Sequence, residues 1–398
     1  MIKINFIIDT IKTPAAGTER QLLMLLDGLD RKLFSPRLIC LRNSDWLKTQ
    51  EFQFPVERYN LRKMLSLSTI KRIRQFIRFA KKEQPDIIQT FFVDANIFGV
   101  IAARLAGCKI IISSRRSLGQ GYSRLNLLFL RLLRRWTTSY LANSEAAALK
   151  TVDKEGVPRH RITVIYNGLD LQQYRSISPE QRSQQRREWR IDNNETLIGV
   201  VANLRDIKNI DSLIRVAARL DNEFPSLKYV VVGEGPERPK LQNLIESSGL
   251  AGRFLLVGSY PDVVPCLAAF DIAVMCSSFE SFSNSLIEYM AAGLPIISSD
   301  AGGNSEAISH NENGLLYPVG DEQGLENGLR KLFSDQSLAT RLGESARKTA
   351  FRCFSREAYI KRHEDYYIQL VRSRSIETIR PVGKTDNLAG TCWRALLR

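Results

Sequence analysis

Two glutamates eight residues apart, Glu280 and Glu288, bracket the start of a helix within Ser277–Gly303, SSFESFSNSLIEYMAAGLPIISSDAGG. Glu280 falls in a serine-rich turn after the apolar run DIAVMCS. Glu288 falls in the second turn of a helix expected from near Asn284 to Gly293, which Pro295 keeps from continuing. Ionised carboxylates only accept hydrogen bonds, so a pair spaced this way suits a ligand rich in hydroxyls. The backbone N–H groups around Ser283, Asn284, Ser285 and Leu286 open towards an anion or sugar hydroxyls, as at any helix start. Each Glu also has an ordinary reading. Ser285 and Glu288 have capping-box spacing, and Glu280 fits a solvated loop carboxylate.

Cationic counterparts stand elsewhere. Arg115 and Arg116 follow the strand-like run KIIISS, where paired guanidinium groups suit a phosphate or an anionic sugar, or a surface salt bridge. Asp94 opens the next helix near the same edge and fits an acceptor contact or an N-cap. The three histidines (His160, His310, His363) are scattered outside any motif, which argues against histidine catalysis or a histidine metal site. Six cysteines without a C-x-x-C pair suggest reduced thiols and a cytoplasmic setting.

The elements that must carry these residues alternate in two blocks. IKINFII, SPRLICL, PDIIQTFF, KIIISS, SYLANS and ITVIYN read as strands, with helices at Glu19–Leu29, Thr69–Glu83, Ala95–Leu105, Ser123–Trp136 and Ser144–Glu155. Several strands are apolar throughout, as parallel strands covered on both faces must be. The pattern restarts with TLIGVVA, KYVVVG, RFLLVG, DIAVMCS, LPIISS and GLLYPV. This predicts an α/β protein with two Rossmann-like, doubly wound parallel-sheet domains facing a central cleft. The expected boundaries are 1–172 for the first domain, 173–195 for a polar linker with a surface helix, and 196–354 for the second domain. A helix over 355–371 would pack back on the first domain, followed by a tail over 372–398. Open α/β sheets bind ligands at their strand C-termini, so the chemistry belongs in the loops there.

Here the sequence resembles glycosyltransferase family 4, a retaining family of the GT-B fold. The family signature is a Glu, seven residues, a second Glu, an alanine-rich helix end and G-x-P-[VI]; this chain has E-SFSNSLI-E-YMAAGLPII. By resemblance Glu280 would bind hydroxyls of the donor sugar and Glu288 the ribose of its nucleotide. Ala202–Lys208 (ANLRDIK) stands where the family has G-R-L-x-x-x-K. Lys208 matches and would neutralise the donor diphosphate; Asn203 replaces the family arginine, and Arg205, two residues on, would supply the guanidinium. A surface lysine in a βα loop is the plain alternative. Gly233 opens the family's G-x-G-P turn, and Tyr166–Asp170 resembles its P-N-G-V-D turn. Gly17, in A-G-T-E-R, matches a loop that in the family lies against the diphosphate and reacting sugar, and a glycine there permits close backbone approach. The family's V-H-x-H histidines are absent from Ile88–Phe91, and so is the D-x-D motif of metal-dependent enzymes of the other major fold. The resemblance therefore implies a nucleotide-sugar donor as substrate, with no metal or other cofactor.

The +15 net charge is lopsided: +16 through Gln185 (31 Lys/Arg against 15 Asp/Glu) and −1 from Arg186 onward (26 against 27). Such a field favours an anionic partner. Lys71, Arg72, Arg74, Arg78, Lys81 and Lys82 lie on one helix, and Arg124, Arg131, Arg134 and Arg135 lie among leucines on another. A basic amphipathic helix of this kind fits an anionic bilayer, or a core-facing helix with a solvated side. No apolar run reaches the ~18 residues of a membrane span, so the expected location is cytoplasmic, peripheral at the inner face of the membrane if the bilayer reading holds. The acceptor would be a saccharide or a lipid-linked saccharide, and nucleic acid is not expected because no recognition motif supports it. A sugar-nucleotide epimerase of the same fold and a non-catalytic partner subunit stay open. A dinucleotide oxidoreductase is disfavoured because no strand is followed by G-x-G-x-x-G.

Overall fold

Runs of β-branched and aromatic residues set the strands. In the computed structural model, which describes residues 1–376 apart from Ala15, Arg62, Lys63 and Leu65, they form two separate parallel sheets. The first holds β1 (Ile2–Ile8), β2 (Phe34–Cys40), β3 (Val56–Arg58), β4 (Ile87–Phe91), β5 (Ile110–Arg115), β6 (Ser139–Ala142) and β7 (Ile162–Val164), in the order β3-β2-β1-β4-β5-β6-β7. The second holds β8 (Thr196–Val201), β9 (Leu227–Val232), β10 (Phe254–Gly258), β11 (Ile272–Met275), β12 (Ile296–Ser299) and β13 (Leu315–Tyr317), in the order β10-β9-β8-β11-β12-β13. Each is doubly wound, as expected. β3 escaped the sequence reading because three residues at a sheet edge carry too little pattern.

Each sheet reverses its winding once. In the first this occurs between β1 and β4, where Ile4 pairs with Ile87 and Ile8 with Phe91. In the second it occurs between β8 and β11, where Ile272 pairs with Ile198. A crevice must open at the C-terminal ends of these strand pairs, since the flanking loops leave to opposite faces.

The chain divides into two compact units, Met1–Asn167 with Arg356–Arg398, and Gly168–Ser355. The stretch 173–195 is therefore not a linker, contrary to the sequence expectation. Its helix Pro179–Glu188 carries Arg186, which is buried and donates to the carbonyls of Ala269, Asp192 and Glu195 and to Asp271. Arg182 donates to the other Asp271 oxygen at 2.6 Å. Arginine hides here because its two Nη groups meet four fixed acceptors, while its buried Nε has no partner among the described residues, a long-range match that composition does not reveal.

The last helix, Arg356–Ile376, belongs by its contacts to the first unit. Tyr359, Tyr366 and Tyr367 enter the core beside Phe6 and Phe34. Their buried hydroxyls find partners: Tyr367 donates to Gln89 at 2.6 Å and Tyr366 to Ser139 at 2.8 Å. Of the expected tail, residues 377–398 lie outside the described residues.

Candidate functional site

In the second unit the loops after β8 and β11 flank the reversal point and are laced to each other. Ser278 donates its backbone N–H to the Ile207 carbonyl at 2.9 Å, and the Cys276 thiol donates to the Lys208 carbonyl at 3.3 Å. This brings Lys208 and Glu280 into an ion pair, and Ser277 donates its hydroxyl to the same carboxylate oxygen at 3.1 Å. Both charged side chains keep part of their surface open, 19% for Lys208 and 13% for Glu280, so a ligand can still reach them.

Glu288 lies in the second turn of the helix Asn284–Ala292 and is buried. The N-cap of that helix is Ser283, so the capping-box alternative through Ser285 fails: Ser285 is already inside the helix. Ser283 makes no side-chain cap hydrogen bond, and it is buried, while Asn284 and Ser285 are half-buried. The next residue, Tyr289, is tied by its hydroxyl to the Val201 N–H at 2.5 Å, which fixes the helix start against the end of β8. Gly293 ends the helix with a left-handed φ of 75°, the conformation that glycine adopts at least cost.

Gly233 has a structural explanation of its own. Its φ is +147°, and an added Cβ would stand 2.0 Å from the Ala202 carbonyl oxygen. The glycine turn thus lets the loop after β9 press against the loop bearing Lys208, and Leu204 N–H seals the contact on the Glu234 carbonyl at 3.0 Å. Asn203 and Arg205 are exposed on that loop, and Arg205 makes no ion pair among the described residues.

In the first unit the reversal point carries a different group. Asp94 is not the N-cap of its helix, Val93–Ala106; Phe92 is, with a φ of 68° that is strained for an aromatic residue. Asp94 instead forms an ion pair with Arg42, which also stands 3.9 Å from Asp9 at the end of β1. The Asp9 carboxylate accepts the Ala95 N–H at 2.6 Å. Burial, with Asp94 alongside, pushes the Asp9 carboxyl from 3.8 up to about 7, against the opposing pull of the Ala95 N–H and Arg42. Beside it, the Thr10 hydroxyl is buried without a hydrogen-bond partner among the described residues. Sequence reasoning passed over Asp9, although an acidic residue ending the first strand of a doubly wound sheet was signal enough to include it. Gly17 begins the helix Gly17–Gly28 that leaves the same loop.

The arginine pair at the C-terminal end of β5 splits. Arg115, put forward for an acceptor, is buried and gives both Nε and an Nη to Glu155, at 2.7 and 2.6 Å, with its guanidinium over the Tyr140 ring. A buried charge must be paired, and this partner comes from the helix Glu145–Glu155, so Arg115 is a core ion pair and not a ligand group. Arg116 donates to Asn167 at 2.6 Å, and its buried Nε has no hydrogen-bond partner among the described residues. Burial lowers its pKa, with Tyr359 and Glu19 opposing the shift. Among the described residues no group of three or more His, Cys, Asp or Glu could hold a metal ion.

With this geometry in place, comparison with known proteins is informative. The Glycosyltransferase Family 4 model matches residues 15–173, and the Glycosyl transferases group 1 model matches residues 181–349, one on each sheet. N-acetyl-alpha-D-glucosaminyl L-malate synthase of Bacillus anthracis is 29% identical over 54% of this chain; the match spans about half of that relative's length, 55%. The UDP-Gal:alpha-D-GlcNAc-diphosphoundecaprenol alpha-1,3-galactosyltransferase of Escherichia coli is 25% identical over 89% of this chain and 94% of its own. The crystal structure of Anabaena Alr3699/HepE in complex with UDP covers 92% of this chain and 100% of its own, with a TM-score of 0.82 at 23% identity, a likeness of fold. Two doubly wound sheets of the GT-B kind, each matched by its own glycosyltransferase model, establish that the chain belongs to the Family 4, group 1 glycosyltransferases.

Proposed function

We propose that the protein transfers a hexose-type sugar from a nucleoside-diphosphate sugar to a saccharide or lipid-linked acceptor, with retention of configuration and without a metal ion. The observation that carries this reading is the Lys208–Glu280 pair at the β8/β11 reversal, with Glu288 buried in the adjoining helix. Glu288 would accept the ribose hydroxyls, Glu280 the sugar hydroxyls, and Lys208 would exchange part of its contact with Glu280 for the diphosphate. As the bond from the anomeric carbon to the diphosphate oxygen breaks, charge grows on that oxygen. Lys208, the exposed Arg205 and N–H groups at Ser283–Ser285 would stabilise it. The acceptor hydroxyl would attack from the face the diphosphate leaves and give its proton to the departing phosphate oxygen. Arg116 and Asp94 remain the acceptor-side groups in the first unit. A relative supports the substrate class: the E. coli galactosyltransferase is named for UDP-Gal and a diphosphoundecaprenol-linked sugar. A lipid-linked acceptor would place the chain at the inner face of the cytoplasmic membrane, where nucleotide sugars are available.

Thermal shift and calorimetry with UDP, GDP and ADP test the donor site; a ligand at about 100 times its Kd adds roughly 2.7 kcal/mol of stability. Lys208→Ala or Glu288→Ala should weaken binding of the free nucleoside diphosphate, while Glu280→Ala should spare it and impair transfer, and turnover should survive EDTA. Unchanged nucleotide affinity in both of the first two variants overturns the assignment. Loss of turnover that Mg²⁺ restores overturns the metal-free step.

A further inference from the structure

A hollow of about 300 Å³ opens in the second unit between the helix Gln336–Cys353 and the chain around Arg175. Positions 344, 347, 348 and 351 recur at i, i+3, i+4 and i+7, so Glu344, Arg347, Lys348 and Phe351 share one face of that helix. Arg175 meets them from the other side, just past the short turn Gln172–Tyr174. The volume is at the lower end of the range for small-molecule sites, ~300–1,000 Å³.

The charge there is local and unbalanced. The chain from Arg186 onward sums to −1, yet the helix Gln336–Cys353 carries four basic residues to one acidic, Glu344. Glu344 has the spacing to pair with Arg347 or Lys348, but neither pair forms among the described residues. Arg347 turns instead to the Tyr174 carbonyl, at 3.4 Å, and to the Phe351 ring, whose centroid is 5.8 Å from its guanidinium carbon. Arg175 stacks on the same ring at 4.7 Å. A ring face attracts each guanidinium, but two like charges on one ring repel each other. Arg175 and Lys348 are exposed and make no ion pair among the described residues.

We propose that this hollow binds the phosphate or diphosphate group of a small anionic molecule, at a site apart from the β8/β11 reversal. Two guanidinium forks and an ammonium group converge on it from two segments, the donor set that phosphate oxygens take up best. An anion between them would cancel the repulsion that the empty arrangement carries. Phe351 forms an apolar wall, and Glu344 is the one group that opposes an anion. The helix Asn284–Ala292 keeps the two sites apart. Its start, at Ser283, adjoins the Lys208–Glu280 pair, whereas Arg347 lies at its other end: a Cβ added to Gly293 would stand 3.5 Å from the Arg347 Cδ. Nine residues of helix separate them, about 13 Å. The inference stands on these residues alone and does not depend on the donor-site assignment.

Calorimetric titration of the full chain with inorganic pyrophosphate tests it, in a Lys208→Ala background so that a diphosphate at the β8/β11 reversal does not mask the hollow. Pyrophosphate should still bind that variant. Adding Arg175→Gln with Lys348→Gln should raise its Kd roughly tenfold or more, since two charged donors are lost. Glu344→Gln should act the other way and tighten binding by roughly three- to fivefold, because it removes the opposing carboxylate. A gain of this kind cannot come from a damaged fold, and melting curves without ligand check that the Arg175 and Lys348 changes leave the chain folded. Orthophosphate should bind the same variants in the same order, more weakly for its smaller charge. No binding of pyrophosphate to wild type or Lys208→Ala overturns the proposal. So does binding that Lys208→Ala abolishes and the Arg175 and Lys348 changes leave intact, which would assign the anion to the β8/β11 reversal, or a Glu344→Gln variant that binds no tighter than its parent.

Discussion

The two sheets turn at equivalent points and arm them differently. At the β8/β11 reversal a lysine and a glutamate meet, Lys208 on the loop after one strand and Glu280 on the loop after the other. At the β1/β4 reversal two carboxyl groups, Asp9 and Asp94, share one arginine, Arg42. A carboxyl buried beside another is driven towards its neutral form, as Asp9 is. The same topology thus yields a fixed ion pair in one unit and a titrating carboxyl in the other. The reversal point settles where a ligand binds; the side chains placed there settle which chemistry it meets.

The comparison depends on Arg115 being outside the first unit's ligand-binding edge, and that can be tested with the largest effect. Arg115→Ala should destabilise the protein by about 3–5 kcal/mol, because it leaves the Glu155 carboxylate buried without its partner. Replacing both at once, Arg115→Met with Glu155→Leu, should recover most of that loss, and transfer activity should return with it. A double variant that is stable yet inactive would put Arg115 back among the ligand groups. Urea denaturation with an activity assay on the same samples reads both quantities.

Gly233→Ala sharpens the other half. The new Cβ would meet the Ala202 carbonyl, a backbone atom that cannot swing aside, so the loop bearing Lys208 must move. The expected loss is about 1–3 kcal/mol of stability, the usual range for overpacking, together with weaker nucleotide binding. Gly107→Ala is the control: that glycine also has a positive φ, of +83°, but nothing lies within 4 Å of its added Cβ. It should lower stability without touching nucleotide affinity. Equal nucleotide affinity in the Gly233 variant and wild type would mean that the glycine turn does not hold the Lys208 loop.

Much of this was legible in the sequence. Both parallel sheets could be read because their strands are apolar on both faces, and the helix around Glu288 could be read from Asn284, Gly293 and Pro295. What escaped depends on contacts between distant residues. Arg186 looks like a linker arginine until the Ala269 and Glu195 carbonyls and Asp271 surround it. Arg115 looks like half of a pair with Arg116 until Glu155, forty residues on, claims it. The helix bearing Leu125, Leu128 and Leu132 reads equally as bilayer-facing or core-facing, because periodicity shows that a helix has an apolar stripe but not whether a neighbour covers it.

The smallest effect is a change in a pH profile, and it tests whether the β1/β4 edge differs from the β8/β11 edge as argued. Three charged groups face one another there: Asp9 from β1, Asp94 from the helix after β4, and Arg42 from the loop after β2. With its folded pKa raised from 3.8 to about 7, Asp9 holds a proton in the native state that the unfolded chain releases. Below about pH 4 both states are protonated and Asp9 contributes nothing. Between about pH 4 and pH 7 the unfolded state loses its proton first, so stability falls as pH rises; above about 7 the penalty is constant. Asp9→Asn removes the titration while keeping an oxygen to accept the Ala95 N–H. Its stability should match the wild type near pH 4 and exceed it at pH 8, by on the order of 1–2 kcal/mol once the lost attraction to Arg42 is set against the gain. Asp94→Asn should move the midpoint of the wild-type profile downward by relieving the like charge, though removing an Arg42 partner lowers stability overall. Parallel wild-type and Asp9→Asn curves across this window would show that Asp9 is ionised throughout. The two reversal points would then differ only in which charges they hold, and not in whether one of them titrates.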